Sequence, residues 1–139
     1  MKNKILKAKE TKVMAFGTFD IFHKGHESYL KQAAKHGSHL IVVIGRDKNV
    51  KIIKGKLPKN SENDRLKRVR ESGLAQTVIL GNLRDKYAVI RKYKPDIIAL
   101  GYDQRSFVEG LAKKFKKIKI VRLKSFKPSI YKSSKIGNR

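Results

Sequence analysis

Short apolar runs alternate with helical patterns along the whole chain, and no other feature limits the fold so strongly. The runs are bounded by glycine or polar residues and are predicted strands: KVMAF, HLIVVIGR, TVIL, DIIAL and KIKIVRL. Strands that alternate with helices form parallel βαβ units with right-handed crossovers. Most of the runs are continuously apolar, which favours a sheet covered on both faces. We therefore expect an α/β domain with a five-stranded, mainly parallel sheet and helices on both faces.

The segments between the runs supply the predicted helices. Helical spacing and stop signals predict helices near residues 26–36, 86–93 and 106–115. Ser61 is the predicted N-cap of a further helix. Residues 47–60 are glycine- and proline-containing and basic, so we expect a loop there.

The length and composition predict one domain without disulfide bonds. The 139 residues fit a single unit, numbered 1–139, whose end, 124–139, is a basic tail. The chain has no cysteine, which excludes disulfides, a thiolate nucleophile and a thiolate metal site. The apolar runs are too short to span a membrane, and the N-terminus lacks the apolar stretch of a secretory signal. We expect a cytoplasmic protein without a membrane partner.

The charge is strongly unbalanced. Lysine and arginine total 35 against 11 aspartate and glutamate residues, which gives a formal net charge of +24. Such a field attracts polyanions, including nucleotides, phosphorylated metabolites and nucleic acid. A solvated basic surface without a ligand explains the charge equally well. The charge by itself therefore names no function.

The segment GTFDIFHKGH follows the first predicted strand and contains the strongest candidate site. Ligands of open α/β sheets bind beyond the carboxyl ends of the strands, where this segment lies. The start of a helix offers unpaired amides and a positive dipole end, which suit a phosphate. Gly17 and Gly25 allow the backbone to approach an anion, and His23 and His26 could donate hydrogen bonds to one phosphate. The pattern predicts a phosphate site.

Two other interpretations of the motif are less favoured. His26 and His36 are ten residues apart on one predicted helix, about 15 Å, so they cannot share a metal ion. We expect no metal bound by protein ligands, and we treat His36 and His39 as incidental. The chain also contains neither the G-x-x-x-x-G-K-[ST] nor the G-x-G-x-x-G phosphate fingerprint.

At HKGH the chain resembles the H-x-G-H nucleotidyltransferase superfamily, in particular its small cytidylyltransferase-like members, which have Rossmann-like domains. The resemblance extends over residues 13–136. KGKLPKNSENDRLKRV resembles a basic loop followed by an E-x-x-R helix, matched by Glu62 and Arg65. YKSSKI resembles the final serine-rich phosphate motif. GYDQ is most similar to archaeal-type FAD synthases, since glycerol-3-phosphate cytidylyltransferases usually carry G-D-D there.

The resemblance implies that a nucleotidyl group passes from a nucleoside triphosphate to a phosphorylated acceptor and that pyrophosphate is released. Mg²⁺, held mainly by the substrate phosphates, is the implied cofactor. The implied catalytic residues are His23, His26, Lys54 and Arg65. The implied nucleotide-binding residues are Gly17, Thr18, Phe19, Asp20, Gly25, Gly101, Tyr102, Asp103, Ser133 and Ser134. The implied phosphate or acceptor contacts are Lys51, Lys56 and Lys135.

Three functions stay open from the sequence. The first is transfer from ATP to FMN, for which Phe22, Phe107 and Phe126 are candidate ring platforms. The second is transfer from CTP to glycerol 3-phosphate or a similar polyol phosphate. The third is a catalytically silent protein that uses the same fold to bind nucleic acid or another polyanion. The resemblance also implies a homodimer.

Overall fold

The computed structural model describes residues 10–104 and 108–125, and these residues form alternating strands and helices. In chain order the elements are β1 (Lys12–Gly17), α1 (Lys24–Ala34), β2 (His39–Ile44), α2 (Asp47–Lys54), α3 (Glu62–Ser72), β3 (Thr77–Leu80), α4 (Ala88–Tyr93), β4 (Ile97–Leu100), α5 (Val108–Lys114) and β5 (Lys119–Arg122).

The strands of this part of the chain form one five-stranded parallel sheet in the order β3-β2-β1-β4-β5. The predicted strand count and the parallel α/β arrangement are confirmed. β1 pairs with β2 along its whole length, from Lys12 to Gly17, but its pairing with β4 ends at Ala15. The strand order reverses between β1 and β4, so their carboxyl ends separate and leave a crevice.

Both faces of the sheet are covered by helices, as predicted. On one face the buried residues of β1 and β2 pack against α1 and α3, which contribute Leu30 and Val69. On the other face Met14 and its neighbours pack against α4 and α5, which contribute Ile90 and Leu111. Successive side chains of a strand point to opposite faces, so a doubly covered strand is apolar at every position. This explains the continuous apolar runs.

The predicted loop at residues 47–60 is wrong over its first half, where the chain forms α2. The Glu62 carboxylate accepts a hydrogen bond from the backbone N–H of Asp47, at 2.8 Å, and so caps the start of α2 from outside it. Gly55 has a φ of 85° and ends the helix in the left-handed conformation that glycine adopts readily. Because the cap comes from a residue 15 positions away, the local pattern does not reveal the helix.

Candidate active site

A cavity of about 880 Å³ lies at the carboxyl ends of the strands, around the crevice between β1 and β4. Segments that follow all five strands line it. The predicted site residues in its lining are Gly17, Thr18, Phe19, Asp20, His23, Gly25, His26, Lys54, Gly101, Tyr102 and Asp103. The structure therefore brings together residues that the sequence spreads over 87 positions, from Gly17 to Asp103.

His23 and His26 form the start of α1 as well as part of the cavity. The Nδ1 atom of His23 accepts a hydrogen bond from Gly25 N at 3.0 Å, and Nδ1 of His26 accepts one from His23 N at 3.3 Å. The two residues therefore form a reciprocal capping box. The rings stack with their centroids 3.9 Å apart. Because each Nδ1 is an acceptor, a neutral ring carries its proton on Nε2.

Both imidazoles are neutral at physiological pH. Burial, the neighbouring His23 and the positive charge of Lys54 lower the pKa of His26 to about 4. Burial also lowers the pKa of His23. Phe19 contacts the His26 ring edge-on at a centroid distance of 5.2 Å, and Phe22 stacks on it at 5.6 Å. The predicted platform residue Phe22 therefore packs against the His26 imidazole.

Gly17 and Gly25 are needed for packing between the backbone and aromatic rings. A Cβ atom on Gly17 would come within 2.6 Å of the Phe19 ring, and one on Gly25 within 2.8 Å of the His23 ring. Phe19 itself has a φ of 53°, which is strained for a residue with a side chain. Its buried ring holds it there. The structure gives both glycines a packing role beside these rings, and their approach to an anion stays a prediction.

Asp20 joins the turn after β1 to the loop before α3. Its carboxylate accepts hydrogen bonds from the backbone N–H groups of Lys59 and Asn60, at 2.8 and 2.9 Å. Burial raises the pKa of Asp20, but these bonds and the charge of Arg65 outweigh it, so the net pKa lies below its ordinary value. Asp20 is therefore ionised and holds this turn against the loop, while its nucleotide contact stays a prediction.

Arg65, a predicted catalytic residue, lies beneath the cavity and is not among the described residues that line it. Its side chain is fully buried, and its guanidinium donates to the carbonyl oxygens of Thr18 and Asn60 and to the Asp47 carboxylate at 2.6 Å. A guanidinium that is covered and engaged in this way has no surface for a phosphate. We assign Arg65 to the support of the site.

Asp47 and Glu62 cap each other's helices beside this arginine. Glu62 accepts from Asp47 N at the start of α2, and Asp47 accepts from Glu62 N at the start of α3, at 3.2 Å. Arg46 donates to Glu62 at 3.1 Å and also to Gly81 O after β3. The hydrogen bond from the Asp47 backbone is the first cause that lowers the pKa of Glu62. The four charged side chains thus lock the ends of β1, β2 and β3 together.

Sequence reasoning missed the residues that bridge the crevice between β1 and β4. The buried Tyr29 hydroxyl donates to Ala99 O at 2.9 Å and also contacts the backbone of Phe16. Gln104 donates to Phe16 O at 2.7 Å and accepts from Gly101 N at 2.9 Å. These bonds replace strand pairing where it has ended, and they hold the turn that carries Tyr102. Gln104, the last residue of GYDQ, is the sequence feature that could have pointed to this bridge.

The remaining predicted residues lie outside the cavity lining or outside the described residues. Lys51 and Lys56 are exposed and are not among the described residues that line the cavity, whereas Lys54 is. Their phosphate contacts stay predictions. The serine motif with Ser133, Ser134 and Lys135, and the platform candidates Phe107 and Phe126, fall outside the described residues.

His36 and His39 lie away from the cavity. His39 is the first residue of β2 and lies at the amino ends of the strands, opposite the cavity. It forms hydrogen bonds with Glu10 at 3.1 Å and with Thr77 at 2.8 Å. Within residues 10–104 and 108–125, no three histidine, aspartate or glutamate side chains form a metal-binding group. None of the helices described in those ranges is long and apolar enough to cross a membrane.

Comparison with known proteins places the chain in a family. Residues 14–139 match the model of the cytidylyltransferase-like family. The chain belongs to that family. The FAD synthase of Thermoplasma volcanium is 40% identical over 132 residues, which cover 92% of each chain. The FAD synthase of Methanosarcina mazei is 45% identical over 117 residues, 81% of this chain and 76% of that protein.

A solved structure supports the same assignment. The crystal structure of the lipopolysaccharide core biosynthesis protein from Thermoplasma volcanium is 40% identical, with a TM-score of 0.79. It covers 85% of this chain and 99% of that one. The cytidylyltransferase-like chain is accordingly a nucleotidyltransferase with a Rossmann-like fold.

The depressed pKa of His26 predicts an acid-sensitive site. The folded protein keeps His26 neutral down to a pH of about 4, whereas the unfolded chain protonates it near 6.5. The unfolded state therefore binds more protons in this window, and the free energy of unfolding decreases as the pH falls from 6.5 to 4. We expect His26 to contribute about 1–3 kcal/mol of this loss.

Urea unfolding across this pH window measures the effect. His26→Gln should remove most of the slope, and His36→Gln, at an exposed position just after the C-terminal end of α1, should retain it. An unfolding free energy for the wild type that stays constant through the window contradicts the assignment.

The supporting role of Arg65 predicts a loss of stability when it is replaced. Arg65→Met leaves the Asp47 carboxylate and two carbonyl groups without their donor, so we expect the free energy of unfolding to fall by about 3–5 kcal/mol. Arg68→Met, at an exposed position of the same helix, should change it by less than about 0.5 kcal/mol. Chemical denaturation measures both. Equal stability of the two variants, with nucleotide affinity lost only in Arg65→Met, would instead favour a direct role of Arg65 at the substrate.

Proposed function

We propose that the protein transfers the adenylyl group of ATP to FMN, which forms FAD and pyrophosphate. The observation that carries this proposal is the composition of the cavity. The lining combines the imidazoles and the start of α1 with apolar side chains, among them Val43, Val50, Ile53 and Val89. A volume of about 880 Å³ is near the upper end of the range for ligand sites, as two bulky substrates require.

The polar part of the cavity suits the triphosphate. The start of α1 presents backbone N–H groups and a positive dipole end. His23 and His26, neutral with their protons on Nε2, would donate hydrogen bonds to phosphate oxygens, and Lys54 would add a positive charge. Neutral donors stabilise the charge that develops on the phosphates without having to lose or gain a proton.

The reaction itself needs no protein nucleophile. An oxygen of the FMN phosphate attacks the α-phosphorus of ATP, and a new P–O bond forms while the bond from the α-phosphorus to the bridging oxygen breaks. Pyrophosphate leaves with that electron pair. The protein's contribution is alignment of the two phosphates and stabilisation of charge. Mg²⁺, held mainly by the substrate phosphates, would neutralise part of their charge.

The apolar wall favours FMN over a polyol phosphate. Ile21 and Ile53 line the cavity, yet 57% and 67% of their surfaces are exposed. Exposed isoleucines at a cavity mouth are stabilised by a ligand with a large apolar face. The flavin ring has such a face, and glycerol 3-phosphate has none. The relatives named FAD synthase agree with this choice.

A pyrophosphate-release assay tests the proposal. With Mg²⁺ present, ATP and CTP are each combined with FMN and with glycerol 3-phosphate. We expect release only with ATP and FMN, and a loss of about 10²–10³-fold in kcat for His26→Ala. His36→Ala is the matched control, because this histidine is exposed and lies outside the cavity lining given for the described residues.

The other outcomes of this assay are informative. Release with CTP and glycerol 3-phosphate would keep the reaction and replace both substrates. No release in any combination, together with salt-dependent oligonucleotide binding, would favour the silent polyanion-binding protein. The homodimer and the cytoplasmic location stay predictions.

Two neighbouring isoleucines test the acceptor. Ile53 lines the cavity, whereas Ile52, 79% exposed, is not among the described residues in its lining. Ile53→Ser should raise the KM for FMN about tenfold, because burying an isoleucine against a ligand contributes about 1–2 kcal/mol, and should leave the KM for ATP unchanged. Ile52→Ser should change neither value. Steady-state kinetics measures both, and an equal effect of the two variants would contradict a flavin contact at Ile53.

A further inference from the structure

The segment after β5 is attached to α1 by one side-chain amide. Gln32 Nε2 donates to Lys124 O at 2.9 Å, and Gln32 Oε1 accepts from Lys124 N at 3.1 Å. A glutamine amide that engages both groups of one residue reproduces the hydrogen bonds of a neighbouring strand. Just before it, Leu123 is buried and donates its N–H to Leu100 O at 2.8 Å. The chain is therefore held on both sides as it leaves the sheet.

This attachment places two further residues at the cavity. Lys124 and Ser125 both line it, although neither belongs to the motifs recognised in the sequence. One residue before Leu123, Arg122 donates to Gly101 O at 2.8 Å and also to Gln104 O, so the end of β5 is bonded to the turn after β4. The segment thus lies between α1, whose start carries the histidines, and the turn that carries Tyr102.

Charge then selects the ligand. Lys124 adds a positively charged side chain to a cavity whose lining also contains the imidazoles and the Gly101 turn, and the proposed triphosphate binds in this cavity. An ammonium on a flexible stem contacts phosphate effectively only if its backbone is held in place, because otherwise binding must also order the segment. The Gln32 amide supplies this order before the nucleotide arrives.

We propose that Lys124 contacts the bound nucleoside triphosphate and that Gln32 is its positioning residue. The inference rests on the nucleotide chemistry proposed above, and it concerns the nucleotide alone and not the acceptor. Interactions of this kind are made equally with the bound substrate and in the transition state, so their loss raises the KM for ATP and leaves kcat unchanged.

Four variants separate the contribution of the hydrogen bonds between Gln32 and Lys124 from that of the Lys124 charge. Gln32→Leu keeps the size of the side chain and removes both hydrogen bonds to Lys124, together with the one that Gln32 donates to Ser28 within α1. Gln32→Glu keeps the acceptor for Lys124 N and removes the donor to its carbonyl. Lys124→Met keeps the backbone attachment and removes the cation. Lys31→Gln, at the exposed position next to Gln32, is the control.

ATP and CTP affinities are measured by calorimetry without any acceptor, and amide hydrogen exchange at Lys124 is measured in parallel. We expect Gln32→Leu and Lys124→Met each to weaken ATP binding about tenfold, Gln32→Glu to lie between them and the wild type, and Lys31→Gln to match the wild type. Exchange at Lys124 should be faster in Gln32→Leu and unchanged in Lys124→Met. The KM for FMN and kcat should stay within about twofold in all four variants.

Failure of the inference is distinguishable from failure of the proposed function. Unchanged ATP affinity in Gln32→Leu or in Lys124→Met overturns the inference, even if the wild type makes FAD. Tenfold weaker ATP binding in both variants supports it, even if the wild type makes no FAD. A wild-type protein that binds neither ATP nor CTP overturns both.

Discussion

A single buried guanidinium holds together the segments that line the carboxyl ends of the strands. Arg65 connects the turn after β1, the loop before α3 and the start of α2 through Thr18, Asn60 and Asp47. Because an unpaired charge is costly to bury, the guanidinium stabilises the edge only when all three partners are in place. The cavity wall therefore has a defined shape before any substrate binds. This is the condition under which fixed donors can favour a transition state.

Three of the acidic residues at or beside the cavity are used for this construction. The carboxylates of Asp20, Asp47 and Glu62 accept backbone hydrogen bonds or pair with arginine, so their charges are largely compensated by protein groups. The lysines around them keep an excess of positive charge, in a chain with 35 basic and 11 acidic residues. The site thus attracts phosphates, while its carboxylates serve the structure.

The sequence predicted those parts of the molecule that depend on local pattern. The strands follow from apolar runs, and the place of the site follows from where those runs end. Contacts between distant residues were not predictable. α2 was missed because Glu62 caps it from another helix. Arg65 was predicted to be catalytic because a motif states which residue is present but not what covers it.

Tyr29 illustrates the same limit in another way. Its position fits the apolar face of a helix, and that is how the sequence pattern interprets it. Its hydroxyl has a role only because pairing between β1 and β4 ends at Ala15, which leaves the backbone of Phe16 and Ala99 in need of partners. Burial raises the pKa of this hydroxyl, which keeps it a neutral donor.

The histidine capping box makes the start of α1 a transferable unit. The four residues from His23 to His26 begin the helix, set the tautomer of both rings and, through Gly25, leave space for one ring above the backbone. A protein engineer who moved one histidine into another α/β scaffold would obtain a side chain without its orientation. Moving the tetrapeptide as a whole would carry the helix start and the oriented donors together.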